Sequence, residues 1–236
     1  HQVPEMYSAE TSYSAMPVTS PKGLVNDAVS LRLQFIRKVY ALMLSMIALV
    51  VVECAIFSLP PVMSYFNAHE SQFWGLYWTA CFAPLIELIP LIILRKRYPV
   101  NLVMLYVFAG TMGITCGMIV AMSDLTEVLA AATITLGVFG AITVYAFTTD
   151  KDFTYLYPMM FGLLIGALFA CIWSIWIPFL DSMFCFLFAA IFSVYLLIDT
   201  QLIAKKLPVE EYVLGAITLF LDVLNIFMYI LMMLNN

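Results

Sequence analysis

The sequence predicts an all-α integral membrane protein with seven transmembrane helices. Of its 236 residues, 64% are hydrophobic and 11% are charged, whereas soluble domains average roughly 45–50% apolar and about 25% charged residues. The mean hydropathy is +1.01. The apolar residues fall in seven continuous stretches, each close to the roughly 20 residues that an α-helix needs to cross about 30 Å of hydrocarbon.

The elements follow one another with short links. Residues 1–30 are polar, and we expect a disordered cytosolic tail followed by a seven-helix membrane domain over residues 31–236. The links carry helix breakers such as Pro60-Pro61. The predicted spans are Val39–Leu59, Phe73–Leu94, Leu102–Met122, Val128–Phe147, Leu156–Ile177, Phe184–Ile203 and Tyr212–Leu234.

Lys and Arg residues predict the orientation. In a seven-span arrangement all ten fall on one side of the membrane, and basic loops face the cytosol. We therefore expect a cytosolic N-terminus and a C-terminus on the opposite side. This orientation argues against a G-protein-coupled receptor, and the seventh span lacks the Lys that a retinal protein needs.

The same composition excludes several classes of function. A chain this apolar is not a soluble enzyme, a nucleic-acid binder or a disulfide-stapled secreted domain. The five Cys residues all lie in apolar stretches without a CxxC motif, and we interpret them as small apolar side chains. We expect no catalytic residue, no cofactor and no structural metal.

Glycines at helical spacing predict close contacts between helices. Gly113 and Gly117 lie four residues apart in the third span, and the other spaced pairs are Gly137 with Gly140 and Gly162 with Gly166. We expect all three pairs to be sites of helix packing.

Four carboxylates lie inside predicted spans: Glu53, Glu87, Asp199 and Asp222. An ionisable group costs about 2.5–3.5 kcal/mol near the bilayer centre on insertion scales, and such residues usually face an ion or proton path. The clearest pattern is in the last span, where one helical face carries Glu211, Gly215, Thr218, Asp222 and Asn225. We call this face the polar stripe. It indicates a cation or proton path, and the alternative is a hydrogen-bonded clamp between helices.

Asp199 and Asp222 belong to spans joined by a short link, and we expect the two helices to be antiparallel neighbours. If the two carboxylates touch, they would share a proton, and the pair would act as a pH-sensitive latch. Arg95, at the cytosolic end of the second span, is either a topological anchor or the counter-charge of this latch. Glu53 and Glu87 are interpreted as structural or interfacial groups, with a place on the ion path left open.

Several stretches together resemble the transmembrane BAX-inhibitor-motif family, most closely its Golgi anti-apoptotic (lifeguard) branch. The most specific stretch is Lys206–Leu214 followed by Leu219–Phe227, which contains an acidic pair, a Tyr and an Asp with an Asn on one helical face. The other matching stretches are Arg32–Tyr40, Arg97–Leu102, Thr143–Tyr145, Lys151–Phe153 and Asp199–Thr200. One departure is Ile198, where the family usually has a Tyr, and drift of this kind is compatible with a viral copy.

The resemblance implies a seven-helix fold in which the last helix is central and surrounded by the other six. It also implies a calcium leak channel in Golgi or endoplasmic reticulum membranes that lowers store calcium and opposes cell death. Asp199 and Asp222 match the family's pH-sensing pair, and Arg95 matches the Arg that engages it in bacterial members. Glu210 and Asp222 match acids of the ion path in the Golgi branch.

Two other classes of function were weighed against a channel. One is a non-conducting scaffold that regulates other membrane channels or apoptosis regulators. The other is an intramembrane aspartyl protease, which is disfavoured because Leu219–Leu221 precede Asp222 where such enzymes have a Gly-x-Gly turn. We expect the lipid bilayer and calcium ions as partners, no nucleic acid, and a monomer or weak homo-oligomer.

Overall fold

The computed structural model describes residues 21–174 and 181–235, and their regular structure is entirely helical. The α-helices in these ranges are α1 (Pro21–Phe57), α2 (Pro60–Ala68), α3 (Glu70–Leu94), α4 (Val100–Ala121), α5 (Leu125–Thr148), α6 (Tyr157–Ser174), α7 (Asp181–Gln201) and α8 (Tyr212–Leu234). Three short turns complete them: 3-10 turns at Thr154–Leu156 and Val209–Glu211, and a π-helical turn at Leu202–Lys206.

Six of these described helices are long and apolar enough to cross a membrane. They begin with the segments Asn26–Phe57, Glu70–Leu94 and Val100–Ala121, and they continue with Leu125–Thr148, Ser182–Lys206 and Val209–Leu234. The remaining predicted span, Leu156–Ile177, corresponds to the apolar helix α6 as far as Ser174, and its last positions lie outside the described residues. The predicted all-α membrane architecture is confirmed.

One predicted boundary was wrong. Helix α1 begins at Pro21, so residues 21–30 are helical, although we predicted a disordered tail through residue 30. Residues 1–20 of that tail lie outside the described part of the chain. Pro60-Pro61 lies after the end of α1, as the predicted helix breaker should, and the two prolines also begin the short helix α2. Proline is tolerated there, because the first turn of a helix does not use its missing N–H.

Helix α8 occupies the centre of the bundle. Its buried side chains include Ile217, Leu219, Phe220 and Leu231, which are at most 3% exposed. Its main packing partners are α1, α4, α5 and α7, while α3 packs mainly on α4 and α6 mainly on α7. The last helix is therefore central as predicted, but four helices rather than six form most of its immediate surroundings.

The basic residues mark one end of this bundle, which we call the basic end. Arg32 of α1 reaches the α7–α8 link, where it donates to the Ala204 carbonyl. Arg95 reaches the residue before α8, and Lys206 reaches Asp152 in the α5–α6 link. The separate basic segments of the sequence thus converge in space.

The glycine pairs differ from expectation. A methyl group on Gly113 would coincide with Glu53 Oε2, and one on Gly117 would lie 2.8 Å from the Phe57 ring. Both glycines therefore allow α1 to pack closely against α4. For the other two predicted pairs, Gly137 with Gly140 and Gly162 with Gly166, no neighbouring atom of the described residues lies within 4 Å of an added methyl group. Their prediction as packing sites was wrong, since spacing alone does not say which face of a helix meets a neighbour.

Candidate functional site

Four members of the polar stripe lie on the central helix α8, and the fifth, Glu211, belongs to the 3-10 turn that precedes it. Glu211 and Asp222 are 7% and 4% exposed. Two members of the stripe form hydrogen bonds with the backbone of α8. Thr218 Oγ1 donates to the Gly215 carbonyl at 3.3 Å, and Asn225 Nδ2 donates to the Leu221 carbonyl at 2.7 Å. Asp222 differs from these two, because its Oδ2 is buried without a hydrogen-bond partner among the described residues.

Asp199 of α7 lies beside the stripe and is 5% exposed. Its carboxylate is within reach of the Thr218 hydroxyl and within electrostatic range of Asp222. The antiparallel packing of α7 on α8 therefore brings together the two carboxylates that the sequence singled out. We call them the aspartate pair.

Two tyrosines that the sequence reasoning missed lie next to the aspartate pair. The rings of Tyr157 in α6 and Tyr195 in α7 are 5.9 Å apart, centroid to centroid, and both residues are within electrostatic range of both aspartates. Tyr195 precedes Asp199 by four residues, so the two share a helical face. That spacing was the available signal, and Tyr195 supplies an aromatic hydroxyl group near the site where Ile198 does not.

Arg95, one candidate for the counter-charge of the aspartate pair, pairs instead with another carboxylate, that of Glu211. Arg95 donates from Nε to Glu211 Oε2 at 2.7 Å and from Nη2 to Oε1 at 3.4 Å, and Lys96 Nζ lies 2.9 Å from the same Oε1. We call this group the basic-end clasp. Arg95 follows the last residue of α3 and Glu211 precedes α8, so they meet at the basic end, whereas Asp199 faces Thr218. Of the two alternatives for Arg95, a topological anchor or the counter-charge of the aspartate pair, the second disagrees with the structure, because Arg95 pairs with Glu211.

Glu210 was assigned to the ion path by resemblance, but the structure places it on the outside. It is exposed, whereas its neighbour Glu211 is buried. Both residues belong to the 3-10 turn Val209–Glu211. Because consecutive residues in a turn of three residues point in different directions, only one of the two acids faces the bundle.

Further contacts, missed by the sequence reasoning, tie four helices together at the basic end. Asn101 of α4 is 1% exposed and donates from Nδ2 to the Arg95 carbonyl at 2.9 Å and to the Tyr212 hydroxyl at 3.0 Å. The Lys38 ammonium of α1 lies 3.2 Å from the centroid of the Tyr212 ring, a cation–π contact. Asn101 and Tyr212 belong to stretches that carry the family resemblance, which was the only available signal.

The π-helical turn after α7 is held from two sides. Arg32 donates from Nε to the Ala204 carbonyl at 2.9 Å and also to the Leu207 carbonyl. On the other side, Gln201 Nε2 donates to the Lys151 carbonyl, and Gln201 Oε1 accepts from the Phe153 amide, both at 2.8 Å. Isolated π-helical turns often mark functional sites, and this one begins three residues after Asp199.

Glu53 and Glu87 both contact α4. Glu53 Oε2 fills the space left open by Gly113, and Glu87 Oε1 accepts from Thr111 Oγ1 at 2.9 Å. The second carboxylate oxygen of Glu87 and Oε2 of Glu53 are buried without hydrogen-bond partners. Across residues 21–174 and 181–235, no group of three or more His, Cys, Asp or Glu side chains is arranged to hold a metal ion.

An apolar helical bundle with a buried carboxylate on its central helix and a second on the neighbouring helix α7 defines a polytopic membrane protein with a polar interior. The family model for the inhibitor of apoptosis-promoting Bax1 matches residues 32–236. The chain belongs to this family, and the predicted resemblance is confirmed.

Curated relatives agree with this assignment. The BI1-like protein of Arabidopsis thaliana is 32% identical over 221 residues, covering 91% of this chain and 85% of the relative. Bax inhibitor 1 of Schizosaccharomyces pombe is 32% identical over 213 residues, covering 88% of this chain and 78% of the relative. Protein lifeguard 4 of Mus musculus is 29% identical over 218 residues, covering 88% and 87%.

Proposed function

We propose that the chain is a pH-sensitive, calcium-permeable leak channel of intracellular membranes that lowers store calcium and thereby opposes cell death. The observation that carries the proposal is the aspartate pair: two carboxylates, 5% and 4% exposed, within electrostatic range of one another inside an apolar bundle. The anti-apoptotic part rests on the family, whose members are described as inhibitors of an apoptosis-promoting protein.

The chemistry of the pair suits a hard cation. Calcium prefers oxygen ligands, carboxylates above all, and the buried Oδ2 of Asp222 has no protein donor. A buried carboxylate without a partner is costly when ionised. Asp222 therefore favours a proton or a cation at this point of the path.

Protonation provides the gate in this proposal. When the pair holds a proton, α7 and α8 pack closely. When both carboxylates ionise, their repulsion in a medium of low dielectric constant pushes the two helices apart. Apolar residues of α8 next to Asp222 seal the closed path, because Phe220 is fully buried and packs edge-on against Phe108 with ring centroids 6.4 Å apart.

The experiment is calcium flux into liposomes that contain the purified full chain, measured from pH 6 to 8. We expect flux that rises with pH and that Asp222→Asn reduces severalfold. Asp150→Asn is the matched control, because Asp150 is an exposed acid in the α5–α6 link. Flux unchanged by Asp222→Asn would remove the aspartate pair from the path.

A non-conducting scaffold is the second candidate. It is favoured by the contacts that join α1, α3, α4 and α8 at the basic end through Lys38, Arg95, Asn101 and Tyr212. In that case the protein would regulate other membrane channels or apoptosis regulators, and liposomes holding it would leak no more calcium than empty ones.

The main proposal also includes location, orientation and assembly. We propose that the protein resides in Golgi or endoplasmic reticulum membranes, has a cytosolic N-terminus, and is a monomer or weak homo-oligomer.

A further inference from the structure

A groove opens in the membrane-facing surface between α1 and α5. Its cavity volume is about 330 Å³, within the range of about 300–1,000 Å³ that is usual for small-molecule sites. Buried residues of α8, Val223 and Leu224, form its floor, and Leu44, Val51 and Leu136, which are 55–69% exposed, stand at its rim.

The chemistry of the walls restricts the occupant to hydrocarbon. The only hydroxyl among the lining side chains belongs to Thr135, and it already donates to the Ala131 carbonyl at 2.8 Å. The lining thiols, Cys54 and Cys116, face one another with their sulfur atoms 3.6 Å apart. No charged residue lines the groove. It therefore offers nothing to a polar headgroup, a carboxylate or a sterol hydroxyl.

The length of the groove matches one leaflet of a bilayer. Along α5 its lining runs from Val128 to Phe139, about 16 Å at 1.5 Å per residue, which is about half of the roughly 30 Å hydrocarbon core. A helix of that length and about 10 Å diameter occupies on the order of 1,200 Å³, several times the cavity volume. The groove therefore fits a single extended chain better than a helix of a second protein.

The position of the groove places it in contact with the bilayer. Its rim residues are continuous with the exposed apolar surface of the membrane-spanning helices. Its wall on α4, Cys116 and Val120, and the start of its wall on α5, Val128, lie at the helix ends opposite the basic end. The α1 wall begins at Met43, five residues after Lys38, so the groove runs from the middle of the bundle toward the end opposite the basic end.

We propose that this groove binds one acyl chain of a bilayer phospholipid, which lies against α8 at Val223 and Phe227. This acyl chain would lie between α8 and the bilayer, against Val223, the residue that follows Asp222. The lipid site does not depend on ion conduction, so its test is separate from that of the channel.

The test uses the full chain in liposomes doped with a phosphatidylcholine that carries a photoreactive diazirine near the end of one acyl chain. After irradiation, the adducts are located by peptide mass spectrometry. We expect adducts severalfold enriched on groove residues such as Phe227 over outer lipid-facing residues such as Ile86 and Ile93, which are 71% and 72% exposed. Equal labelling of the groove and the outer surface would overturn the proposal.

A matched pair of variants sharpens the result. Ala132 lines the groove, and Ala132→Phe should fill it and lower the groove adducts severalfold. Ala141→Phe adds the same ring nine residues later, about half a turn away on the exposed side of α5, and should leave the adducts unchanged. Equal labelling in both variants would contradict the proposal.

If Ala132→Phe does not fold, the proposal can be tested on the wild-type protein by adding a competing lipid. Cholesterol added at a constant fraction of the probe should leave the ratio of groove adducts to outer-surface adducts unchanged. Removal of the groove adducts by cholesterol would identify a sterol site and overturn the proposal. Protein–protein crosslinks at the groove, formed in place of lipid adducts, would identify a second copy of the chain and overturn it as well.

Discussion

Arg95 and Glu211 form a direct ion pair, with Nε 2.7 Å from Oε2, that joins the end of α3 to the beginning of α8. The carboxylate is the more enclosed partner, since its side chain is 9% exposed against 31% for that of Arg95. Lys96 adds a second cation at 2.9 Å. The central helix is thus anchored at one end by charge, while its middle carries the aspartate pair.

Glu211→Gln should lower the thermal midpoint of the detergent-solubilised protein. The change leaves two cations without their shared acceptor, and hydrogen bonds to charged groups of this kind contribute about 1–2 kcal/mol when the cations are partly exposed. Glu210→Gln is the control, because this neighbouring acid is exposed. Equal midpoints for the two variants would show that the clasp does not stabilise the bundle.

Asp199→Asn should flatten the pH dependence of calcium flux between pH 6 and 8. An amide cannot ionise, so the repulsion that we propose between Asp199 and Asp222 is lost at every pH. Tyr195→Phe, which alters the surroundings of the pair without removing a carboxylate, should shift the midpoint of the profile and keep its shape. A profile that is identical in wild type and Asp199→Asn would contradict the proposed gate.

Gly113→Ala should destabilise the packing of α1 on α4. The added methyl group takes the space of Glu53 Oε2, so the Glu53 carboxylate must move away from Gly113. Overpacking of this kind costs about 1–3 kcal/mol. The double variant with Glu53→Ala should recover most of the loss. Gly137→Ala is the control and should leave the thermal midpoint unchanged, because no neighbouring atom of the described residues lies within 4 Å of the added methyl group. A fall in the midpoint as large as that of Gly113→Ala would show that the contact with Glu53 does not cause the destabilisation.

Asp152 should contribute nothing to the pH dependence of flux. The Lys206 ammonium, 2.6 Å from Asp152 Oδ2, and the Thr154 hydroxyl hold the pKa of this carboxyl well below its usual range. A lowered pKa means that the contact is fully present above the usual value and is lost only as the pH falls through the lowered one. Asp152 is therefore ionised throughout pH 6 to 8, and Asp152→Asn should leave the flux profile in place. A shifted midpoint would reassign the pH sensor to the basic end.

The sequence predicted the features that depend on local composition and spacing. The apolar runs predicted the spans, and the stripe spacing placed Asp222 on an inward face beside Asp199. What it did not predict depends on which faces of helices meet. Glu210 and Glu211 are adjacent and chemically alike, and only the packing of the turn shows that Glu211 faces Arg95.

The same reason explains the missed partners in the bundle. Thr111 was not recognised as the donor to Glu87, since it lies 24 positions away on another helix. Gly113 and Gly137 both belong to spaced glycine pairs, yet only Gly113 lies against a neighbour. Pairing between distant segments is a property of the tertiary structure, and no period within one segment encodes it.

The hydrogen bonds of Arg32 have a consequence for biosynthesis. They join α1 to carbonyl groups that lie 170 to 175 positions later in the chain. A nascent chain that has inserted α1 through α6 carries this guanidinium without those acceptors, and the π-helical turn forms against it only when α7 emerges. The native contacts of Arg32 can therefore form only after the segment that carries residues 202 to 207 has been synthesised.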